Sequence, residues 1–455
     1  MEYKVPRGTQ DILPGEVQEW QFFESVSHTI LQRYGYREIR TPVFEQKELF
    51  LRTVGQDTDI VQKEMYTFED RKARQFALRP EGTAPVIRSY VENSLWKERA
   101  LQKLYYIGPM FRYDRPQKGR YRQFHQVGAE AVGSLSPLVD AELIALVQML
   151  LRAVGIRRLV LKINSLGEVE SRKSYSSALK DYFSAKSDRL CPDCQVRLKV
   201  NPMRILDCKV PECNSLSSGI PSMEQYLSDQ ASEHYREVQH WLGVLGVSFE
   251  KDKNLVRGLD YYTRTTFEFH HGELGATVAL GGGGRYDRLV EECGGPETPA
   301  IGFSLGTERV LLAASRDRAG KGEAVDKRKG ALYLAWLGEE VLEAAFRLAS
   351  ALRNIVPVEM DLEARSLKAQ LRQADKLGVS HALILGGEEL AGRKVQVKNL
   401  ATGDQADLDI NNLVEFIYAE VKSCDRDNTP EMLVDKTLGG KLREALSFFV
   451  KSGGN

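Results

Sequence analysis

The sequence predicts an α+β protein in which an antiparallel sheet flanked by helices precedes a smaller α/β unit. Residues 105–130, YYIGPMFRYDRPQKGRYRQFHQVGAE, contain two extended runs around a turn with Pro116 and Gly119, which is typical of a long hairpin. Beyond residue 329, apolar runs of strand length alternate with helical patterns, which is typical of an α/β domain.

Length and composition exclude several protein classes. A chain of 455 residues is too long for one core of ordinary size, so two to four domains are expected. No run approaches the ~20 apolar residues of a membrane-spanning helix, and the first residues lack the apolar core of a signal peptide. Six cysteines in a chain of this length argue against a disulfide scaffold and predict a cytoplasmic location. Because 63 basic residues balance 63 acidic ones, only local patches can attract nucleic acid.

Periodicity and breaker residues predict the first elements. After Pro14, apolar residues recur at spacings of three and four up to Tyr34, so we expect one helix that ends at Gly35. YREIRTPVFE, residues 36–45, is expected to form a strand that Pro42 closes. The next expected elements are a hairpin over 65–78, a helix that opens within 79–88, a helix over 138–154 and a strand over 158–164.

Residues 165–250 are predicted to form a mostly helical insertion that is more polar than its surroundings. Its segment CPDCQVRLKVNPMRILDCKVPEC carries Cys191, Cys194, Cys208 and Cys213. A CxxC pair followed by two further cysteines is typical of a structural zinc knob. Because the second pair is separated by four residues rather than two, free thiols are the favoured alternative, and no metal is expected.

A linker is predicted over the charged segment 317–329, which lacks apolar periodicity. We therefore expect a core over 1–325 that contains the insertion and an α/β domain over 326–424. A tail over 425–455 has no predicted role.

The turn of the predicted hairpin is crowded with arginines, among them Arg112, Arg115 and Arg120. Planar guanidinium groups bind phosphate oxygens in pairs, so this turn suits a polyanion. A solvated surface hairpin is an equally weighted alternative. Gln126 and Glu130 lie an even number of residues apart on the returning strand and therefore point to the same face, which a solvated hairpin does not require.

Two further segments are ambiguous when they are taken alone. RGLDYY at 257–262 is compatible with a turn that contains a salt bridge between Arg257 and Asp260, beside core aromatics. ALGGGGRYDR at 279–288 predicts a strand that runs into four glycines, where a backbone can approach a ligand closely. This run lacks the lysine of a Walker A loop and the spacing of a dinucleotide-binding loop.

Together these segments resemble one family in the order of its motifs. FRYDRPQKGRYRQFHQ at 111–126 resembles motif 2 of class II aminoacyl-tRNA synthetases in its histidyl-tRNA synthetase version, and RGLDYY resembles the histidine-specific motif of that family without departure. The N-terminal helix and strand resemble motif 1, which builds a homodimer interface, and PAIGFSLGTERVLLAA at 299–314 resembles motif 3. The C-terminal α/β domain resembles the anticodon-binding domain, with a dimerisation or regulatory module as the alternative.

The resemblance implies a role for each residue that matches a motif. Those that would bind histidine are Glu81, Gly82, Thr83, Gln126, Glu130, Tyr261, Tyr262 and Tyr286. Those that would bind ATP are Arg112, Arg120, Arg257 and Arg309, of which Arg112 and Arg257 would be catalytic. Those that would meet the acceptor end of tRNA are Arg115, Gln117 and Arg120.

The same resemblance implies the reaction, which is ATP-dependent attachment of L-histidine to tRNA(His) through histidyl-adenylate, with Mg²⁺ bridging the ATP phosphates. Such chemistry needs positioning and charge neutralisation more than a covalent nucleophile, which fits a site rich in arginine. The alternatives are a regulatory paralogue that serves histidine biosynthesis, a class II synthetase for another amino acid, and a non-enzymatic nucleic-acid-binding module built on the cysteines.

Overall fold

The computed structural model describes residues 3–55, 58–117, 119–208, 210–273, 279–319 and 331–421. The chain divides between residues 323 and 324 into two compact units. Most of the predicted linker, the predicted domain limit at residue 325 and the tail 425–455 lie outside the described residues.

The first unit combines strands and helices throughout its length. In chain order its strands are β1 Arg37–Glu38, β2 Phe44–Gln46, β3 Thr67–Glu69, β4 Gln75–Leu78, β5 Gln102–Phe111, β6 Gln123–Val132, β7 Leu159–Ser165, β8 Glu250–Lys251, β9 Thr263–His271, β10 Ala279–Arg285 and β11 Ala300–Gly306. Its helices are α1 Val17–Arg33, α2 Lys47–Thr53, α3 Thr83–Glu92, α4 Pro137–Ala153, α5 Val169–Ser184, α6 Pro192–Val200, α7 Pro211–Leu216, α8 Asp229–Val244, α9 Leu289–Glu292 and α10 Thr307–Ala319.

An eight-stranded sheet with the order β1-β5-β6-β11-β10-β9-β7-β8 organises this unit. Its neighbours are antiparallel except for the parallel pairs β1/β5 and β7/β8 at the two edges. The predicted hairpin is β5 and β6, which pair over ten residues from Gln102 opposite Val132 to Phe111 opposite Gln123. Strands β2, β4 and β3 form a separate three-stranded sheet. The predicted antiparallel sheet is therefore confirmed.

Helices α1, α4, α8 and α10 pack with the large sheet in one hydrophobic core. The predicted first helix is confirmed over Val17–Arg33, and Gly35 ends it in the left-handed region at φ 80°. Asp140 on α4 and Arg285 at the end of β10 are both fully buried, and their side chains are joined at 2.6 Å. This buried pair fixes the glycine-bearing strand against α4.

Two local predictions were wrong. Residues 36–45 do not form one strand, because the backbone carbonyls of Thr41 and Pro42 accept hydrogen bonds from the Arg79 guanidinium. The chain consequently leaves the large sheet after β1 and joins the small sheet at β2.

The four glycines of residues 281–284 lie inside β10 instead of following it. A Cβ at Gly281, Gly282 or Gly283 would meet a carbonyl oxygen of a neighbouring strand at 2.0–2.3 Å. Close approach of the strands within the sheet therefore requires these glycines.

The region between β7 and β8 is mostly helical, as predicted. Helices α5, α6 and α7 enclose a small core of their own that includes Tyr175, Leu179 and Phe183. Helix α8, at the end of this region, instead packs against α4 in the main core.

The second unit is an α/β domain, as predicted. Its strands are β12 Leu332–Trp336, β13 Val358–Met360, β14 His381–Leu385, β15 Lys394–Asn399 and β16 Gln405–Asp409, in the order β13-β12-β14-β15-β16. Its helices are α11 Leu342–Leu352, α12 Leu367–Leu377, α13 Gly387–Ala391 and α14 Leu413–Phe416. Among the residues that the structure describes, no helix combines the length and apolar character needed to traverse a bilayer.

Candidate active site

A cavity of about 580 Å³ opens on the large sheet of the first unit. Its wall is contributed by the β4–α3 connection, the β5–β6 hairpin, the loop before β9, the glycines of β10 and the start of α10. Five segments that are distant in the sequence therefore converge at one place, as the motifs predict.

The N-terminus of α3 supplies one end of this cavity. The Glu81 carboxylate accepts the backbone N–H groups of Thr83 and Ala84 at 2.8 Å each, which satisfies donors that the first turn of a helix leaves free. The Tyr261 hydroxyl donates to the same carboxylate at 3.4 Å. Burial raises the pKa of Glu81, although these N–H donors oppose the shift.

Glu130 lies behind this wall and is fully buried. Its carboxyl accepts the Thr83 hydroxyl at 2.7 Å and makes a short hydrogen bond with the Tyr286 hydroxyl. Burial raises the pKa of Glu130 to about 8, even though both hydroxyl donors act to lower it. Glu130 and Tyr286 do not line the cavity themselves, so Thr83 connects this acid–phenol pair with the open space.

Gln126, Tyr261 and Tyr262 line the cavity next to Thr83. The Gln126 amide donates to Ser304 at 3.4 Å, while its buried carbonyl oxygen has no partner among the described residues. The rings of Tyr261 and Tyr262 lie 4.7 Å apart, and Tyr286 packs edge-on against Tyr261 at 5.6 Å. We call the set Glu81, Thr83, Gln126, Glu130, Tyr261, Tyr262 and Tyr286 the acid–phenol end.

Two glycines leave room for the groups of this end. A Cβ at Gly82 would lie 2.2 Å from the ring of Tyr106. A Cβ at Gly302 would lie 1.6 Å from a carboxylate oxygen of Glu130, so only glycine leaves space for that carboxyl. Gly82 thus has a packing role, because it is not among the lining residues.

Four arginines, Arg112, Arg120, Arg257 and Arg309, line the opposite part of the cavity, which we call the arginine end. Arg257 pairs with Glu268 at 2.5 Å and lies over the ring of Tyr262 at 5.4 Å, so its salt-bridge partner is Glu268 and not Asp260. Burial lowers the pKa of Arg257, but Tyr262 and Glu268 outweigh it and the net shift is upward.

Arg112 and Arg309 have no carboxylate within 4 Å among the residues that the structure describes. Arg112 donates to the carbonyl of Pro80 at 2.8 Å, and Arg309 donates to those of Gly119 and Ala279 at 3.1 and 2.9 Å. Burial lowers the pKa of both guanidinium groups, and for Arg309 the charges of Arg120 and Arg112 lower it further. In the described part of the chain these two guanidinium groups therefore have no direct ion-pair partner, although Glu64 and Glu81 lie within electrostatic range of Arg112.

The hairpin turn is only partly directed at the cavity. Arg120 lines it and pairs closely with Asp114. Arg115 and Gln117 are exposed and lie outside the cavity wall. Their placement keeps them accessible to a macromolecule while the other arginines face the cavity.

Sequence reasoning missed several residues of the site. Glu268 on β9 pairs with Arg257 and also with His270 at 3.1 Å. Glu308, the residue before Arg309, accepts the backbone N–H of His125 at 2.9 Å and thereby ties α10 to the hairpin. The alternation of β9 could have indicated that Glu268 and His270 share a face, but not that Arg257 lies beside them.

Comparisons with known proteins agree with this arrangement. The sequence model of the family described as histidyl-tRNA synthetase matches residues 8–310, and that of the anticodon binding domain matches residues 331–420. A protein named histidine–tRNA ligase from Geobacillus sp. (strain WCH70) is 49% identical over 423 residues, which cover 92% of this chain and 99% of that protein. One of the same name from Bacillus subtilis (strain 168) is 47% identical over 426 residues, 93% of this chain and 100% of that protein.

A solved structure shows the same fold. The crystal structure of apo S. aureus histidyl-tRNA synthetase superposes with a TM-score of 0.75 at 38% identity, covering 91% of this chain and 100% of that one. The motifs, the convergence of their residues and these likenesses agree over nearly the whole length. The chain belongs to the histidyl-tRNA synthetase family.

Proposed function

We propose that this chain is a histidine–tRNA ligase, which attaches L-histidine to tRNA(His) through histidyl-adenylate with ATP as the energy source. The single observation that carries the proposal is the pairing of two ends in one cavity. At one end, Arg112 and Arg309 have no direct carboxylate partner among the described residues, and behind the wall of the other end a buried acid lies between hydroxyl groups.

In the first step, the carboxylate of histidine attacks the α-phosphorus of ATP and pyrophosphate leaves. Arg112 would hold the α-phosphate, and Arg257 would stabilise the charge that develops on it from the other side. Arg309 would bind the far end of ATP. Fixed guanidinium groups suit this task because they are already oriented when the charge appears. In the second step, a hydroxyl group of the terminal ribose of tRNA attacks the carbonyl carbon of histidyl-adenylate, and AMP leaves.

Magnesium would enter with ATP and neutralise part of its phosphate charge. The lining acids Glu268 and Glu308 already accept hydrogen bonds from Arg257 and from His125. A cation that arrives on the phosphates therefore fits this site better than one held by the protein alone.

Histidine would be selected through both nitrogens of its ring. Glu130 and Tyr262 are the proposed partners of the imidazole, and Glu81, Thr83 and Gln126 those of the α-ammonium group. Tyr261, Tyr286 and Gly82 would shape the same pocket. A site whose buried polar groups lose their partners when an apolar analogue binds rejects that analogue strongly. Because Glu130 lies behind Thr83, contact with the ring requires the Thr83 hydroxyl to turn or the ring to reach past it.

The hairpin turn and the second unit are the proposed contact sites for tRNA. Arg115, Gln117 and Arg120 on the hairpin turn would meet the acceptor end of tRNA, and the second unit would bind the anticodon. We further propose a homodimer built through the N-terminal helix and strand, in a cytoplasmic setting.

A panel of amino acids in ATP–pyrophosphate exchange tests the proposal. We expect exchange with histidine and none with threonine, proline or glycine, followed by charging of tRNA(His). Exchange with another amino acid would contradict the histidine assignment. No exchange with any amino acid would favour the regulatory paralogue, which is less supported because relatives of nearly half identity are named histidine–tRNA ligase.

A further inference from the structure

The four cysteines of the helical insertion converge although they are spread over 23 residues of sequence. Cys191 precedes the first residue of α6 and Cys194 lies in its first turn, while Cys213 lies in α7 and Cys208 just before it. All four sulfur atoms lie within 4.8 Å of one another, and those of Cys191 and Cys208 are 3.9 Å apart. We call this group the thiol cluster.

The distances match a metal site better than a disulfide. Sulfur atoms around a tetrahedral zinc ion are about 3.8 Å apart, since each Zn–S bond is about 2.3 Å. A disulfide needs about 2.05 Å, and the four cysteines are free in this structure. The spacing of the cluster therefore fits four separate sulfur ligands around one central ion.

Backbone N–H donors and one arginine surround the sulfur atoms. The backbone N–H of Cys191 donates to the sulfur of Cys213 at 3.2 Å, and that of Val210 donates to Cys208 at 3.5 Å. Arg197 lies within electrostatic range of Cys194 and Cys208. Such outer contacts orient and stabilise the ligands of a metal ion.

We propose that Cys191, Cys194, Cys208 and Cys213 bind one structural zinc ion. All four ligands come from the protein, so no position remains open for a reacting group. Zinc would hold together the small core around Tyr175 and Phe183, to which the buried Cys194, Cys208 and Cys213 belong. The favoured alternative from sequence, four free thiols, places these sulfurs together without a central ion.

The same ion would stabilise one wall of the cavity. Leu206, Cys208 and Asn214 line it, and they belong to the segment that the thiol cluster would fix. Arg197 and Arg204 also pair with Asp59 at 3.0 and 3.3 Å, directly before the lining residue Ile60. Loss of zinc should therefore loosen the site as well as the insertion.

Metal analysis of the full chain tests this proposal without any measurement of aminoacylation, so its failure and that of the proposed function are distinguishable. Protein purified without chelators should contain about one zinc ion per chain. Cys194→Ser and Cys213→Ser should each reduce the zinc content at least about tenfold and lower the melting temperature. Cys293→Ser, which changes a cysteine outside the cluster, should leave both unchanged.

A measurement on the unaltered protein covers the case in which the serine variants fail to fold. Stepwise titration with a mercurial should release zinc to a coloured chelator as the cluster thiols react, and cobalt in place of zinc should give the absorption of a tetrahedral thiolate site. Three results would overturn the proposal: zinc-free protein whose cluster thiols react freely, a mass that shows disulfides, or iron with an iron–sulfur chromophore.

Discussion

The two ends of the cavity differ in how their charged side chains are paired. At the acid–phenol end, the Glu130 carboxyl is enclosed and already bonded to Thr83 and Tyr286. At the arginine end, Arg112 and Arg309 donate only to backbone carbonyls among the described residues. The buried carboxyl of one end thus has hydrogen-bond partners, whereas two guanidinium groups of the other end have no direct carboxylate partner.

Because of this difference, we expect the acid–phenol end to select the amino acid and the arginine end to stabilise phosphate charge. A ligand at the acid–phenol end must replace hydrogen bonds that the protein already makes, so a poor match costs free energy. A polyanion at the arginine end meets two guanidinium groups without a direct ion-pair partner, so many phosphate compounds would be attracted and position decides which one reacts. Changes at the two ends should therefore have different kinetic signatures.

The largest effect is expected at the arginine end. Arg257→Ala should lower the rate of histidine-dependent pyrophosphate exchange about 10²–10³-fold, because a fixed donor at the developing charge is lost. Arg257→Lys should recover only part of the rate, since a lysine lacks the planar fork. Steady-state exchange kinetics, with circular dichroism to verify folding, measure both variants.

Arg88→Ala is the matched control for that substitution. Arg88 is also ion-paired, with Glu45 and Glu92, but it does not line the cavity. The Arg88→Ala variant should catalyse pyrophosphate exchange at a nearly normal rate. Normal exchange by Arg257→Ala would remove Arg257 from the reaction.

The second effect is a pH dependence of stability that originates at the acid–phenol end. Because burial raises the pKa of Glu130 to about 8, the folded protein holds a proton that the unfolded chain releases near pH 4.5. The corresponding stability is complete below pH 4.5 and is lost as the pH rises towards 8. Between pH 5 and 8, the unfolding free energy should fall by about 3 kcal/mol more in the wild type than in Glu130→Gln.

Urea unfolding at several pH values measures that difference. Glu343→Gln, which changes an exposed acid on α11, should retain the wild-type slope. Equal slopes for the wild type and Glu130→Gln would show that Glu130 is ionised in the folded protein at neutral pH.

The same substitution should act selectively on ligands. Glu130→Gln should raise the KM for histidine about tenfold, because the amide offers different hydrogen-bond donors and acceptors to the ring than the carboxyl group does. The KM for ATP should change little, since the arginine end remains intact. A parallel increase in both constants would mean that the two ends are not separable.

Sequence periodicity predicted the elements of this site well because their apolar patterns are local. The hairpin over 105–130 became β5 and β6, and the stripe after Pro14 became α1. The path of residues 36–45 depends on Arg79, which is distant in the sequence, so local pattern could not reveal it. That the glycines of β10 lie inside the sheet depends on its neighbouring strands, which local pattern does not reveal either.

Local sequence pattern also could not reveal contacts between residues that are distant in the sequence. Motif resemblance supplied Arg257 and Glu130 as candidates, but only the structure shows that Glu268 pairs with one and that Gly302 makes room for the other. The convergence of Cys194 and Cys213 also depends on how α6 and α7 pack. Spacing in the sequence shows which residues are neighbours within one helix or strand. Only the packed structure shows which residues of different elements lie in contact.

The smallest expected effect concerns the link between the acid–phenol pair and the cavity. Thr83→Val has nearly the same shape but removes the hydroxyl that donates to Glu130 at 2.7 Å. The unfolding free energy should fall by about 1 kcal/mol, and the KM for histidine should rise a few-fold. Because that donor holds the pKa of Glu130 down, its loss should raise this pKa further. Thr83→Ser retains the donor and should behave like the wild type, so a KM increase in Thr83→Ser as large as that in Thr83→Val would show that the hydroxyl does not decide histidine binding.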